Sequence, residues 1–100
     1  MRPIHVAELG TKSRPVLVLT RDVARPVLNT VTVAPITSTI RDIPTEVRLD
    51  ASNGIAHESV VLLDKVTTIP ATALGRRIGS LHPGQEQALT DAIHAAYALK

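Results

Sequence analysis

Residues 16–19 read Val-Leu-Val-Leu, and this run constrains the fold more than any other stretch of the chain. Side chains along a strand alternate between two faces. A strand that is aliphatic at every position therefore has no polar face to expose to water. Such strands lie in the centre of a sheet that is covered on both sides. We therefore predict a central strand over residues 15–20, with Pro15 opening it because proline cannot donate a ladder hydrogen bond.

The composition of the whole chain favours a β-rich core. The 100 residues include no Phe, no Trp and a single Tyr, although 44% are hydrophobic. Val, Leu, Ile and Ala must therefore fill the interior, and branched aliphatic side chains suit strands. The length predicts one domain over residues 1–100 with one modest core.

Several other segments carry strand or turn patterns. The first strand is predicted over residues 3–9, with Ile4 and Val6 inward and His5 outward. Further strands are predicted over residues 30–36, 44–49, 58–69 and 76–81. Residues 22–26 are predicted as a break or a single helical turn, residues 50–54 as a turn, and residues 70–74 as one helical turn.

The period becomes helical from Pro83 onward. The residues that recur at helical spacing are Gln85, Leu89, Ala92, Ile93, Ala96 and Tyr97. Pro83 suits the first helical position and Glu86 the first turn, and Tyr97 is predicted to join the core. The plan is a small, mostly antiparallel sheet closed by one C-terminal amphipathic helix.

The charge and motif content exclude several classes of function. The net charge of +2 permits a polyanionic partner without requiring one. The chain has no cysteine, its four histidines are scattered, and it has no phosphate-binding glycine loop, so neither a metal nor another cofactor is predicted. No apolar run approaches membrane-spanning length, and we expect a cytoplasmic protein without membrane association.

Three polar clusters remain as candidate sites. They are Lys12-Ser13-Arg14, Thr37-Ser38-Thr39 with Arg41 beyond it, and Asp64-Lys65. If the folded sheet brings these strand ends together, the three clusters form one pocket. That pocket would suit a phosphodiester, because arginine binds phosphate bidentately, hydroxyls donate to its oxygens, and a carboxylate can act as a base.

Each cluster also has a plainer interpretation. Lys12 and Arg14 could be ordinary loop cations, and Thr37 to Thr39 could be turn hydroxyls bonded to nearby backbone. Asp64 and Lys65 could be a solvated ion pair. Arg76-Arg77 is interpreted as a solvated pair in a turn.

Three ordered segments resemble the MazF/PemK family of toxin endoribonucleases. They are SRPVLVLT at 13–20, VTVAPITSTIRDIPTEVRL at 31–49 and ESVVLLDKVTTIPATALGRRIGSL at 58–81. The resemblance implies a small SH3-like barrel of the MazF/PemK/CcdB type that acts as a homodimer. It also implies metal-independent, sequence-specific cleavage of single-stranded RNA, messenger or ribosomal, that inhibits translation. A cognate antitoxin with an acidic flexible tail would cover the RNA groove.

The resemblance also implies site residues. Arg14 and Thr37 fall at the positions of the usual catalytic pair, in the RPV and P-I-T-S motifs. Asp64 falls where some members carry a functional aspartate, although Leu62 replaces the arginine that accompanies it there. The other cluster members are assigned to substrate binding together with Asp64: Lys12, Ser13, Ser38, Thr39 and Arg41. The loop before Arg14 is shorter than is usual in the family.

The predicted mechanism places the Arg14 guanidinium on the scissile phosphate, where it stabilises the transition state. Thr37 would bond the same phosphate and align the attacking 2′-OH, giving a 2′,3′-cyclic phosphate and a 5′-OH. Two alternatives stay open. One is a non-catalytic toxin of the same barrel that inhibits DNA gyrase through its C-terminal helix, which here ends in AAYALK. The other is an inactive relative that binds RNA or an antitoxin.

Overall fold

A computed structural model describes residues 2–20 and 29–98 of the chain. In this part the strands are β1 Arg2–Leu9, β2 Lys12–Val18, β3 Thr30–Thr37, β4 Glu46–Leu49, β5 Ser59–Leu62, β6 Thr67–Pro70 and β7 Leu74–Leu81, followed by the helix α1 Glu86–Tyr97. The break or helical turn predicted at residues 22–26 lies outside the described residues. None of the described helices is long and apolar enough to cross a membrane.

The seven strands form one antiparallel half-barrel. The strand order is β4-β5-β3-β2-β1-β7, and β6 pairs with β3 on the same edge as β5. Every pairing is antiparallel, as short connections between neighbouring strands allow. The predicted fold class, a small antiparallel β structure closed by a C-terminal helix, is confirmed.

Strand β2 is covered on both faces, as its aliphatic run predicts. Val16, Leu17 and Val18 are fully buried. Leu17 belongs to the larger core, which also holds Leu89 and Ala92 of α1. The alternate residues Val16 and Val18 belong to a second cluster on the other side of the sheet. Burying both sets of side chains fixes the position of β2 within the sheet.

The prediction that Pro15 opens this strand is wrong. Strand β2 begins at Lys12 and ends at Val18, and its pairing with β1 runs from Lys12 to Leu17. Its pairing with β3 starts only at Val16. Pro15 pairs with Val6 of β1, and the pairing of β2 with β3 does not reach it.

The long strand predicted over residues 58–69 is two strands. A 3-10 turn over Leu63–Lys65 separates β5 from β6. The two strands pair with different halves of β3, β5 with Ile36 and Thr37 and β6 with the first four residues. The break coincides with the two charged residues, which are exposed, because charged side chains are costly to bury without partners.

Register shifts change the faces of β1. Ile4 is buried as predicted, but Val6 is only half-buried and Ala7 is buried instead. The pairing of β1 with β7 shifts between Ile4 and His5 and again between His5 and Ala7. Strand β7 is also longer than predicted, because it begins at Leu74, directly after a 3-10 turn over Ala71–Ala73.

The C-terminal helix packs on the larger core. Pro83 opens a 3-10 turn over Pro83–Gln85 that leads into α1. Leu89 and Ala92 are buried, and Ile93 and Ala96 pack against the same cluster. Tyr97 is 53% exposed, so its predicted place in the core is wrong. The packed stripe ends at Ala96, and Tyr97 is the last residue of the helix.

Candidate functional site

The ladder between β2 and β3 stops where both strands carry a proline. The last pair is Val16 with Pro35, and Pro15 is the next residue of β2. Neither proline has an N–H to extend the ladder. Arg14 and Thr37 each lie two residues beyond this last pair on their own strands. The sequence thus ends the pairing just before the two predicted catalytic residues.

Arg14 and Thr37 line one open groove of about 540 Å³ at this point. Other polar residues that line it are Ser13, Ser38, His57, Ser59 and Arg76. Its apolar lining includes Val6, Pro15, Ile36, Ile55 and Ile78. The structure therefore brings together four of the residues predicted for the site from two separate clusters: Ser13, Arg14, Thr37 and Ser38.

The groove is cationic. Two guanidinium groups, those of Arg14 and Arg76, are among its lining residues, and no carboxylate is. Within the described ranges, neither arginine forms an ion pair with Asp or Glu. Both residues are exposed. An anionic ligand would therefore meet uncompensated positive charge in a concave site, where electrostatic attraction is focused.

The hydroxyl of Thr37 has one local contact. Its Oγ1 accepts a hydrogen bond from the backbone N–H of Thr39 at 3.2 Å. This is the local turn bond that its neighbours in the sequence allow. A hydroxyl that accepts such a bond still has its own proton to donate. Thr37 can therefore hold the turn and donate to a phosphate oxygen at the same time.

An exposed turn anchored by one buried residue supports another wall of the groove. Ala51–Asn53 form a 3-10 turn that ends at Gly54, whose φ is +91°. Asn53 is buried, and its Nδ2 donates to the carbonyl oxygen of Ser80 at 3.0 Å and to Oε1 of Gln85 at 2.7 Å. These bonds fix the segment that leads to His57 against β7 and the start of the helical region.

Arg41 and Asp64 meet, but not in the groove. Nε of Arg41 lies 2.9 Å from Oε2 of Glu46, and its Nη2 lies 3.6 Å from Oδ2 of Asp64. The side chain of Glu46 is only 2% exposed, and its Oε1 also accepts from the backbone N–H groups of Arg41 and Asp42. The prediction that all three polar clusters form one pocket is therefore corrected, because Glu46 holds Arg41 away from the groove.

The charges of this ion-pair cluster stabilise one another. Burial raises the pKa of Glu46, but the hydrogen bonds from the side chain and backbone of Arg41 lower it by more, so the net pKa lies below its ordinary value. The hydrogen bond to Glu46 likewise raises the pKa of Arg41. Both groups remain charged at neutral pH. Their ion pairs hold the segment that follows Thr37 in place.

The remaining predicted residues lie at the margin of the site. Lys12 is exposed at the β1–β2 hairpin, where it pairs with Leu9, and Thr39 is exposed after β3. Neither is among the residues that line the groove. Among the described residues, no group of three or more His, Asp or Glu is arranged to hold a metal ion.

Three polar residues that line the groove were not predicted from the sequence: His57, Ser59 and Arg76. His57 follows the Asn53-Gly54 turn, but its distance from Arg14 in the chain hides their shared groove. Arg76-Arg77 was interpreted as a solvated pair in a turn; both are exposed, but they lie in strand β7, and Arg76 lines the groove. Arg77 lies outside the groove, and its Nε donates to the carbonyl oxygen of Gly79 at 3.2 Å. Nδ1 of His5 lies 2.8 Å from the carbonyl oxygen of Gly75, and His5 is not among the residues that line the groove with His57.

Comparison with known proteins gives a consistent family. Residues 4–97 match the family described as PemK-like, MazF-like toxin of type II toxin-antitoxin system. Endoribonuclease MazF3 of Mycobacterium tuberculosis is 57% identical over 99 residues, covering 99% of this chain and 95% of that protein. Endoribonuclease EndoA of Bacillus subtilis is 34% identical over 102 residues, covering 99% and 87%.

Solved structures share the fold. Mycobacterium tuberculosis toxin MazF-mt6 superposes with a TM-score of 0.96 at 56% identity, covering 99% of both chains. An endoribonuclease in complex with its cognate antitoxin, from a mycobacterial species, superposes with a TM-score of 0.87 at 23% identity, covering 98% of this chain and 93% of that one. The second likeness is one of fold alone.

Proposed function

Because the chain belongs to the PemK-like, MazF-like toxin family of type II toxin–antitoxin systems, we propose that it is an endoribonuclease. As a single domain over residues 1–100, it would cleave single-stranded messenger or ribosomal RNA at a short sequence motif and so inhibit translation. The name of the 57% identical relative, endoribonuclease MazF3, supports this activity. The observation that carries the proposal is that Arg14 and Thr37 line the same groove and that no carboxylate lines it.

The chemistry follows from these two side chains. The Arg14 guanidinium binds the scissile phosphate and stabilises the charge that builds on its oxygens in the transition state. Thr37 donates to the same phosphate and aligns the ribose 2′-oxygen. That oxygen attacks phosphorus as its proton passes to solvent, the bond from phosphorus to the 5′-oxygen breaks, and the 5′-oxygen takes up a proton from solvent. The products are a 2′,3′-cyclic phosphate and a 5′-OH. Arginine keeps its proton at ordinary pH, so Arg14 acts as an electrostatic group.

The other cluster residues take separate parts. Ser13 and Ser38 line the groove and donate to the RNA backbone, and Lys12 and Thr39 contact RNA beyond its rim. We assign Arg41 and Asp64 to holding the segment after Thr37, because their ion pair lies outside the groove lining. Cleavage of RNA in this scheme uses no metal ion.

A cognate antitoxin is the second partner in this proposal. An acidic flexible segment would be attracted to the guanidinium groups of Arg14 and Arg76, which have no carboxylate partner within the described residues. Occupation of the groove by that segment would exclude RNA. The active form would be a homodimer, as the family resemblance implies.

The test is RNA cleavage in EDTA. The purified protein is incubated with mixed-sequence single-stranded RNA, and the fragment ends are analysed chemically. We expect discrete fragments with 2′,3′-cyclic phosphate and 5′-OH ends. Arg14→Ala and Thr37→Ala should each slow cleavage by roughly a hundredfold or more. The matched controls are Arg77→Ala and Thr68→Ala, which remove the same side chains at exposed positions outside the groove.

Near-normal cleavage by both folded groove variants would contradict the assignment of the catalytic pair. Intact RNA with the unmodified protein would contradict the enzymatic function altogether. In that case a DNA gyrase supercoiling assay and an RNA-binding assay separate the gyrase inhibitor from the inactive RNA binder. Circular dichroism on each variant shows whether lost activity reflects lost structure.

A further inference from the structure

A second concavity adjoins the groove. It has a volume of about 310 Å³ and shares Val6, Ser13 and Arg76 with the groove. Beyond that shared rim it is lined by Glu8, Thr72 and Gly75 among others. Ligand sites in proteins begin at roughly 300 Å³, so this space suits one small ring system rather than a large ligand.

Arg76 lies on the boundary between the groove and the second concavity because of a bulge in β7. Ala7 of β1 pairs with Leu74 and His5 pairs with Arg77, so the single residue Val6 faces both Gly75 and Arg76. Such bulges re-aim side chains and are common beside active sites. Gly75 permits this close approach, since a Cβ there would lie 2.9 Å from the carbonyl oxygen of Val6. The bulge thus places the Arg76 residue at the boundary of both concavities.

The two concavities differ in charge. The groove has no carboxylate among its lining residues, whereas the second concavity has the exposed carboxylate of Glu8. Within residues 2–20 and 29–98, Glu8 forms no ion pair. A carboxylate repels phosphate but accepts hydrogen bonds from the amino groups of nucleobases. Single-stranded RNA presents such base edges to proteins.

We propose that the second concavity binds the base of a nucleotide that flanks the scissile phosphate. Arg76 binds the RNA phosphate at the boundary between the two concavities, and the Glu8 carboxylate accepts a hydrogen bond from the exocyclic amino group of the base. The subsite therefore prefers cytosine, adenine or guanine over uracil, which has no amino group. This inference rests on the proposed endoribonuclease function, and it assigns a source of sequence preference to residues outside the catalytic pair.

The experiment uses a pool of single-stranded RNA with randomised sequence. The unmodified protein, Arg76→Ala, Arg77→Ala and Glu8→Leu cleave the pool, and sequencing of the fragment ends gives the base preference at each position. With Glu8→Leu we expect the preference for amino-bearing bases to fall by about fivefold or more at one flanking position only. Glu8→Leu should still cleave RNA, because Glu8 does not line the groove that holds Arg14 and Thr37.

Arg76→Ala should lower kcat/KM by about tenfold and reduce the slope of log kcat/KM against log salt by about 0.7, the value for one lost phosphate contact on a single strand. Arg77→Ala, the neighbouring arginine outside both concavities, should change neither quantity. Unchanged base preference in Glu8→Leu, or equal effects of the two arginine variants, would overturn the subsite. An unmodified protein that leaves the whole pool intact would instead overturn the proposed function, and the subsite with it.

Discussion

The backbone of Gly54 lies directly against the backbone of Gly79. A Cβ on Gly79 would overlap the carbonyl oxygen of Asn53, and one on Gly54 would overlap the carbonyl oxygen of Ile78. Gly54 also has a φ of +91°, which side-chain-bearing residues rarely adopt. This contact sets the turn at Ala51–Asn53 against β7 and so fixes one wall of the groove.

Gly79→Ala should destabilise the fold, because the added methyl group meets backbone that cannot rotate away. Overpacking of this kind costs about 1–3 kcal/mol, and the free energy of unfolding from urea titration measures it. Gly84→Ala is the matched control, because a Cβ at Gly84 has nothing within 4 Å. Equal stability of the two variants would show that the turn can move away from β7 at little cost.

Asn53→Ala should also lower stability, by a different route. The substitution removes the donor to the carbonyl oxygen of Ser80 and both polar contacts to Gln85. Leaving buried polar groups without partners costs about 1–3 kcal/mol. The free energy of unfolding should therefore fall by about 1 kcal/mol or more. The control is Thr68→Ala, which removes an exposed hydroxyl contact to Thr32 and should change the free energy of unfolding by less than about 0.5 kcal/mol.

The family resemblance pointed to Arg14 and Thr37, and the structure shows that both line one groove. Pro15 and Pro35 end the ladder on facing strands, and the residues that follow are left at the opening. Arg76 was not predictable, because its orientation depends on a one-residue shift between β1 and β7 that exists only once the strands pair. The separation of Arg41 from the groove depends on Glu46, whose buried position no periodicity reveals.

Arg14→Lys separates charge from geometry at the proposed catalytic position. Lysine keeps the positive charge but cannot donate two parallel hydrogen bonds to a phosphate. We expect kcat to fall by at least tenfold while the affinity for RNA, measured by fluorescence anisotropy with an uncleavable 2′-deoxy substrate, changes by less than threefold. A variant that retains the full kcat would show that only the charge of Arg14 matters.

Thr45→Val should leave stability unchanged or raise it. The Oγ1 of Thr45 is buried and has no hydrogen-bond partner among the described residues. Valine has nearly the same shape and removes the cost of an unpaired buried hydroxyl, which is about 1–3 kcal/mol. Urea titration of Thr45→Val beside Thr90→Val tests this, because the exposed Thr90 hydroxyl donates to the carbonyl oxygen of Glu86. A loss of more than about 1 kcal/mol in Thr45→Val would show that the Thr45 hydroxyl has a partner.

The ion pair of Glu46 should make stability depend on pH. Its folded-state pKa lies below its ordinary value, since the bonds from Arg41 outweigh the effect of burial. A carboxyl group of this kind stabilises the fold fully above its unfolded-state pKa, which is about 4.3 for glutamate. This stabilisation is lost as the pH falls below the unfolded-state pKa and through the folded-state pKa of Glu46, because the native state then has to take up a proton.

Glu46→Gln removes this contribution while keeping a hydrogen-bond acceptor for Arg41. The unmodified protein should therefore be more stable than Glu46→Gln at pH 7, and the difference in the free energy of unfolding should narrow as the pH falls below about 4.3. Glu58→Gln, at an exposed glutamate outside the cluster, is the control and should follow the unmodified protein. A difference that stays constant from pH 7 to pH 3 would mean that the charge of Glu46 does not stabilise the segment after Thr37.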